Sequence, residues 1–401
     1  ATSPSTDLEN LDLWARIKGV DVLGTGDFTH PIWLKNLKEK LEPAEPGLFK
    51  LKNIDSKTRF ILTTEISCIY KKTGKVRKVH IVVFAPSFEA VGKINAKLEK
   101  IGNLHSDGRP ILGLDAKELA KIVLDADENC MVVPAHIWTP WFAMFGSKSG
   151  FDSIEECFDE YAKYIYAVET GLSSDPAMNW RLSQLDKVAL ISNSDAHSPK
   201  KIAREANVFD TDLDYYKICQ AIKEKDKNKF LYTIEFFPEE GKYHFDGHAT
   251  CELSFTPEQS KKYNNLCPKC GKPLVIGVLN RVAGLADREE GFKPENAIPY
   301  KNLIPLEEII AEALGSTIAS KQVGKNYDKL ISNIGNEFKI LLDADRKEIE
   351  RLSLPEIAEG VIRMREGKIY IEPGYDGIYG KIKLFPDKKN KKETYPQKTL
   401  F

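Results

Sequence analysis

Val188-Ala-Leu-Ile-Ser192-Asn-Ser-Asp195-Ala-His197 is the stretch that decides the fold. Val188–Ser192 is a nearly continuous apolar run, as expected of a parallel strand covered on both faces. It ends in a polar turn bearing an Asp and a His two positions apart. The same arrangement recurs upstream. Val20–Gly24 leads to Asp27 and His30, Phe60–Thr64 to Glu65, Met131–Ala135 to His136, and Tyr164–Val168 to Glu169. Val79–Phe84 carries His80 near its start, and Phe230–Phe236 closes the series. Amphipathic stretches (Phe88–Lys100, Ala116–Leu124, Ser153–Lys163) lie between most of these runs, which predicts an α/β fold, either a parallel barrel or a doubly wound sheet.

Only seven histidines occur in the 401 residues, and His30, His80, His136 and His197 stand at these strand positions. Barrels collect reactive side chains at the C-terminal ends of their strands. Asp, Glu and His together ligate two or three divalent ions such as Zn2+, Mg2+ or Mn2+, which lower the pKa of water and neutralise a phosphodiester. Any one of these residues can be an ordinary polar strand end. Their recurrence is what predicts a metal-dependent phosphoesterase.

Composition bounds the rest. Apolar residues make up 42% of the chain, enough for a substantial core. Net charge is −1, so a nucleic-acid surface must be local. No apolar run is long enough to span a membrane, and no signal peptide precedes Ala1, so a soluble cytoplasmic monomer is expected. Cys68, Cys130, Cys157 and Cys219 lie in apolar surroundings and read as buried free thiols of a reducing compartment.

The remaining three cysteines form His248-x2-Cys251, fifteen residues, then Cys267-x2-Cys270, the spacing of a structural tetrahedral zinc site, with His244 as an alternative nitrogen ligand. The expected organisation is a barrel over 1–237, a zinc-binding domain over 238–298, a C-terminal α+β domain over 299–386 and a lysine-rich tail over 387–401. In the third segment, helices are expected over Pro305–Leu314 and Leu354–Glu366, followed by a Gly-rich stretch between two short strands.

Three loops and the tail narrow the substrate. Trp138-Thr-Pro-Trp141 sets aromatic walls beside His136, suited to a base drawn from its stack. Gly146-Ser147-Lys148-Ser-Gly150 is a small cationic loop able to cradle a phosphate. Ser173-Ser174-Asp175, with Asn179 and Trp180, reads as a specificity pocket after Glu169. Gln397-Lys-Thr-Leu400-Phe401 follows a lysine-rich tether and resembles the start of a sliding-clamp-binding peptide.

The ordered set Asp27/His30, Glu65, His80, His136, Glu169, Asp195/His197 resembles the ligands of the polymerase-and-histidinol-phosphatase (PHP) superfamily. That likeness implies a distorted seven-stranded β/α barrel, a trinuclear metal site and phosphoester hydrolysis. Those proteins open on a His-x-His pair. No histidine precedes His30, so Ala1 is expected to lie just past that pair and the site to be two ligands short.

Longer blocks resemble the endonuclease Q family: Gly-Thr-Gly-Asp27-Phe-Thr-His30, Pro-Ala-His136-Ile-Trp-Thr-Pro-Trp141, Glu169-Thr-Gly-Leu-Ser-Ser-Asp-Pro-Ala-Met-Asn-Trp180, Ser-Asn-Ser-Asp195-Ala-His197, Glu235-Phe-Phe-Pro-Glu-Glu-Gly and Pro373-Gly-Tyr-Asp-Gly377. The resemblance implies a DNA repair endonuclease. It nicks on the 5′ side of uracil, hypoxanthine, xanthine and abasic sites, works with a sliding clamp and has an archaeal setting. A small-molecule phosphatase would share the ligands but leaves the zinc module and C-terminal domain unexplained. An inactive DNA- or clamp-binding scaffold would bind only the structural zinc.

Overall fold

The computed structural model describes residues 5–106 and 108–385, so Gln397, Leu400 and Phe401 lie outside the described residues. The fold is mixed α/β, and its contacts divide it into two compact units. Among the described residues, the first comprises 5–15, Asp21–Thr233 and Arg281–Tyr300, and the second Arg16–Val20, Ile234–Asn280 and 301–385. Residues 281–298, expected to belong to the domain over 238–298, thus group with the first unit, as do Pro299 and Tyr300, expected in the C-terminal domain.

In the first unit, β1 (Val22–Gly24) pairs in parallel with β2 (Arg59–Lys72). β2 turns into β3 (Lys75–Ala85), and the two pair antiparallel from Leu62↔Ala85 to Lys72↔Lys75. β4 (Met131–Pro134) joins β3, again antiparallel. β5 (Ala167–Glu169) and β6 (Ala189–Ile191) form a separate parallel pair.

The expectation of parallel strands throughout therefore fails at β2, β3 and β4. Thr73 and Gly74 both sit at positive φ (51° and 77°), the two-residue turn whose twist matches a hairpin's strands. The polar residues on either side of that turn hid the continuity of the two strands. Among the described residues, the sheet containing β2 has seven strands and branches there.

Helices α1 (Phe88–Leu98) and α2 (Ala116–Ala126) begin on Ser87 and Asp115, whose side chains accept from Ala90 N and Lys117 N. Inside, Ile61, Met131, Val133, Ala167, Ala189 and Ile191 pack against Tyr215, Ile218 and Ile222 of α3 (Tyr215–Glu224). This shared core packs β2, β4, β5 and β6 together, with Glu65 inside β2, Glu169 ending β5, and His136 and Asp195 just beyond β4 and β6. Cys68, Cys130, Cys157 and Cys219 are buried and unbridged, as their apolar surroundings predict.

The second unit includes the hairpin of β7 (Asp246–His248) and β8 (Leu253–Phe255) and, beyond residue 300, helices α4 (Leu306–Ala313), α5 (Lys321–Ile334), α6 (Arg346–Leu352) and α7 (Pro355–Arg365). The expected strands after α7 are β9 (Tyr370–Glu372) and β10 (Lys381–Lys383), paired antiparallel. Helix α5, hidden by a mostly polar sequence, buries Val323, Tyr327, Leu330 and Ile334 on one stripe. No helix among the described residues is long and apolar enough to cross a membrane.

Candidate metal centre and nucleic-acid interface

Glu65 lies on β2 opposite Val82, and His80 lies on β3 opposite Ser67. Residues two apart on a strand share a face, so Glu65 and His80 are diagonal neighbours. His136 reaches them from the end of β4. Glu65 Oε1 is 2.9 Å from His80 Nδ1 and 3.3 Å from His136 Nε2, and the two ring nitrogens are 3.1 Å apart. Ligand atoms of a tetrahedral ion held at about 2.1 Å are separated by roughly 3.4 Å, so this triangle fits a divalent ion after small adjustments.

The chemistry of the donors supports the same conclusion. The Thr139 hydroxyl donates to Trp141 O at 2.9 Å, which leaves its oxygen to accept from His136 Nδ1 at 3.1 Å. With its proton on Nδ1, His136 turns the Nε2 lone pair toward Glu65 Oε1, itself a lone-pair donor. A cation between them resolves that opposition. Without a cation in the cluster, burial raises the Glu65 pKa, but contacts to the His136 and His80 rings and the charges of His136 and Arg109 outweigh it and hold Glu65 far below the usual carboxylate range. Burial lowers the pKa of His80, while at His136 the Glu65 carboxylate overcomes burial and raises it.

Glu169, at the end of β5, braces His136 from behind. One oxygen accepts His136 N at 2.8 Å and the other accepts Asn193 Nδ2 at 2.9 Å, while burial pushes its pKa up to about 7. Asp195 Oδ1 lies 3.6 Å from the exposed His197 and 3.7 Å from Arg109. Burial and the Glu65 charge raise Asp27, while Arg109 and His30 pull it down, which places all four in one electrostatic cluster. Among the described residues, the structure brings Glu65, His80 and His136 within ligating reach of one ion, while Asp27, His30, Glu169, Asp195 and His197 do not join that group.

The backbone is strained where these side chains emerge. Asp27, His136 and Asp195 have φ of 46°, 30° and 43°, values that non-glycine residues seldom adopt. Gly171 permits the arrangement at His136, because a Cβ there would lie 2.5 Å from that of His136. Trp33 holds the turn before Asp27, its indole N–H reaching Gly26 O at 2.9 Å.

The predicted substrate residues separate into two groups. Trp138, Ser174, Asn179 and Trp180 are buried. Trp138 Nε1 donates to Asn179 Oδ1 at 2.7 Å, Asn179 Nδ2 to Ser174 Oγ at 3.0 Å, and Ser174 Oγ to Thr170 O at 2.9 Å. Trp138, Asn179 and Ser174 spend these polar groups on bonds that tie the His136 and Glu169 loops together, while Asn179 and Trp180 also line a cavity with Pro176, Leu185 and Ile298. Asp175 caps the turn Pro176–Asn179. Trp141, Ser147 and Lys148 are exposed and Ser173 is half-buried. The 146–150 loop is tightly folded, because Cβ atoms on Gly146 and Gly150 would strike backbone at 2.6 and 2.4 Å. Lys78 Nζ stands 5.1 Å from the ring centre of Trp141, giving a cation and an aromatic face next to Phe142, which packs on His80.

In the second unit, His248, Cys251, Cys267 and Cys270 gather their donor atoms within 4.8 Å of one another. Burial opposes ionisation of Cys267, but amide hydrogen bonds from Cys270 and Lys269 keep its pKa below the ordinary thiol value. Gly271, at φ 72°, forms the knuckle and donates to Cys267 O at 2.8 Å. His244 stays outside this cluster, buried against Phe245.

The crystal structure of the novel lesion-specific endonuclease PfuEndoQ from Pyrococcus furiosus matches with a TM-score of 0.84 and 31% identity, covering 96% of this chain and 92% of that one. The chain belongs to the endonuclease Q family. An Endonuclease Q complex with a 27-mer duplex substrate, with an abasic lesion at the active site, matches with a TM-score of 0.82 at 31% identity over 96% of this chain and 93% of that chain. Residues 305–368 match the MJ0043 C-terminal domain family. The uncharacterized protein MJ0043 of Methanocaldococcus jannaschii is 38% identical over 262 residues, 63% of this chain and 32% of that protein, so the chain spans about a third of that relative. The uncharacterized Bacillus subtilis protein YqxK is 29% identical over 377 residues, 91% of this chain and 89% of YqxK.

Sequence reasoning missed Arg109 and Asn193. Asn193 stands within the strand-end block that carries Asp195 and could have been read there. Arg109 follows no strand candidate and had no such signal.

Proposed function

We propose that this chain is a metal-dependent DNA repair endonuclease that hydrolyses the phosphodiester 5′ of uracil, hypoxanthine, xanthine and abasic sites. The convergence of Glu65, His80 and His136 donor atoms carries the reading, in a chain that aligns over 96% of its length with a lesion-specific endonuclease. Divalent ions held by these three, with Asp27, His30, Glu169, Asp195 and His197 completing the set, would supply activated water and neutralise the phosphate.

The protein's own groups supply the positioning. Thr139 fixes the His136 tautomer, and Glu169 and Asn193 hold the His136 backbone. The exposed Trp141 face, with Lys78 above it, suits a base swung out of the duplex, and the cost of swinging it out is least at a mispaired or damaged base. On this reading the first unit is a PHP-type barrel, the His248–Cys270 cluster is a structural zinc site, and Gln397, Leu400 and Phe401 bind a sliding clamp.

End-labelled duplexes containing uracil, hypoxanthine, an abasic site or no lesion test it, each with and without added divalent metal. Metal-dependent cuts 5′ of the lesion are expected, and Asp195→Asn should abolish them while DNA binding persists. Equal cutting of undamaged duplex would refute lesion specificity, and undiminished cutting by Asp195→Asn would refute the site.

A further inference from the structure

Arg109 belongs to no ligand class, yet its guanidinium lies among the ligands. Ser67 N of β2 donates to Pro110 O at 2.9 Å, and Ile111 and Leu112 pair in parallel with Ser67 and Cys68. These bonds hold the Arg109 turn beside the part of the sheet that carries Glu65 and His80. One guanidinium arm is 3.1 Å from His80 Nδ1. The other is 2.9 Å from Glu65 Oε2 and 3.7 Å from Asp195 Oδ1.

His80 Nδ1 therefore has three polar neighbours: Glu65 Oε1 at 2.9 Å, His136 Nε2 at 3.1 Å and Arg109 Nη1 at 3.1 Å. A ring nitrogen offers one proton or one lone pair, never both. As a donor it serves Glu65 and opposes the guanidinium. As an acceptor it serves Arg109 and opposes the lone pairs of Glu65 and His136. A divalent ion would satisfy Glu65, His80 and His136 together, but it takes the electron pair that Arg109 uses.

We propose that Arg109 is a positioning residue that competes with metal for the Glu65–His80–His136 cluster. Its guanidinium keeps the ligand electron pairs facing one point before metal enters, and metal binding displaces it from His80. This rests on the metal reading of that cluster. The competition fixes the sign of the effect: removing a cation beside an incoming cation tightens metal binding. An arginine that merely oriented Glu65 would give the reverse.

Full-length wild type, Arg109→Met and Arg109→Lys, stripped of loosely held ions, are titrated with Mn2+ alone by calorimetry, since thiolate sites disfavour Mn2+. Arg109→Met should bind Mn2+ on the order of ten- to a hundredfold more tightly, and should melt at a lower temperature without metal because Glu65 loses its partner. Arg109→Lys should fall between it and wild type. Unchanged or weaker Mn2+ binding by Arg109→Met overturns the proposal. Should that variant not fold, Arg109→Gln gives the same comparison with hydrogen bonding kept. Glu65→Gln, run alongside, separates the two readings: if it binds Mn2+ like wild type, the metal reading itself fails whatever Arg109 does.

Discussion

Glu65→Gln removes charge while keeping shape at the point where the site's polar partners meet. In the native arrangement one Glu65 oxygen faces His80 Nδ1 at 2.9 Å and His136 Nε2 at 3.3 Å, and the other takes Arg109 at 2.9 Å. Glutamine has one acceptor oxygen and one donor nitrogen. Turned so that its oxygen meets Arg109, it presents an NH2 to the imidazoles and blocks a cation; turned the other way, its NH2 faces the guanidinium. Either orientation loses a partner. Outer-shell changes alone weaken metal sites about 10- to 100-fold, so loss of a ligand and its charge should cost at least about 100-fold, roughly 2.7 kcal/mol. The Arg109 side chain is 28% exposed, so losing its carboxylate should destabilise the fold by only about 1–2 kcal/mol after solvent screening. That corresponds to a melting-temperature drop of roughly 2–8 °C for a domain of this size. Elemental analysis after dialysis against limiting Mn2+, paired with thermal melting, measures both effects. Retention of wild-type metal content and affinity would refute the assignment of Glu65 as a ligand.

Further variants separate support from contact. Asn179→Leu strands Trp138 Nε1 in the core, leaves Ser174 Oγ only its bond to Thr170 O, and should destabilise the protein by about 1–3 kcal/mol in urea denaturation. Trp141→Ala, at an exposed position, should change stability by less than about 0.5 kcal/mol yet weaken binding to a uracil-containing duplex roughly tenfold in a fluorescence titration. His244 is buried, and burial lowers its pKa to about 4. The unfolded chain takes up that proton first, so stability present above pH ~6.5 is lost as pH falls toward ~4, by at most about 3 kcal/mol. His244→Phe should flatten that part of the stability profile, and an unchanged slope would rule His244 out as its source.

The candidate site was legible in advance because metal ligation restricts residue type so strongly. Asp, Glu and His at successive strand ends are conspicuous in a chain with seven histidines. The His248–Cys270 spacing was legible for the same reason, with chelation geometry written into short sequence intervals. Trp138 and Trp141 show the limit. They sit three positions apart in one loop, yet one hydrogen-bonds Asn179 in the core and the other is exposed. Local sequence cannot distinguish them, because burial depends on which distant segment covers each.

By itself, then, the sequence determined the candidate ligand types, the His248–Cys270 spacing and the α/β character, since these rest on local chemistry and periodicity. The tertiary structure decided that Phe60–Thr64 and Val79–Phe84 extend into one antiparallel hairpin, which sets Glu65 diagonally beside His80. It also decided that Arg109 reaches that pair. Both outcomes depend on long-range pairing across the sheet, which no spacing along the chain encodes.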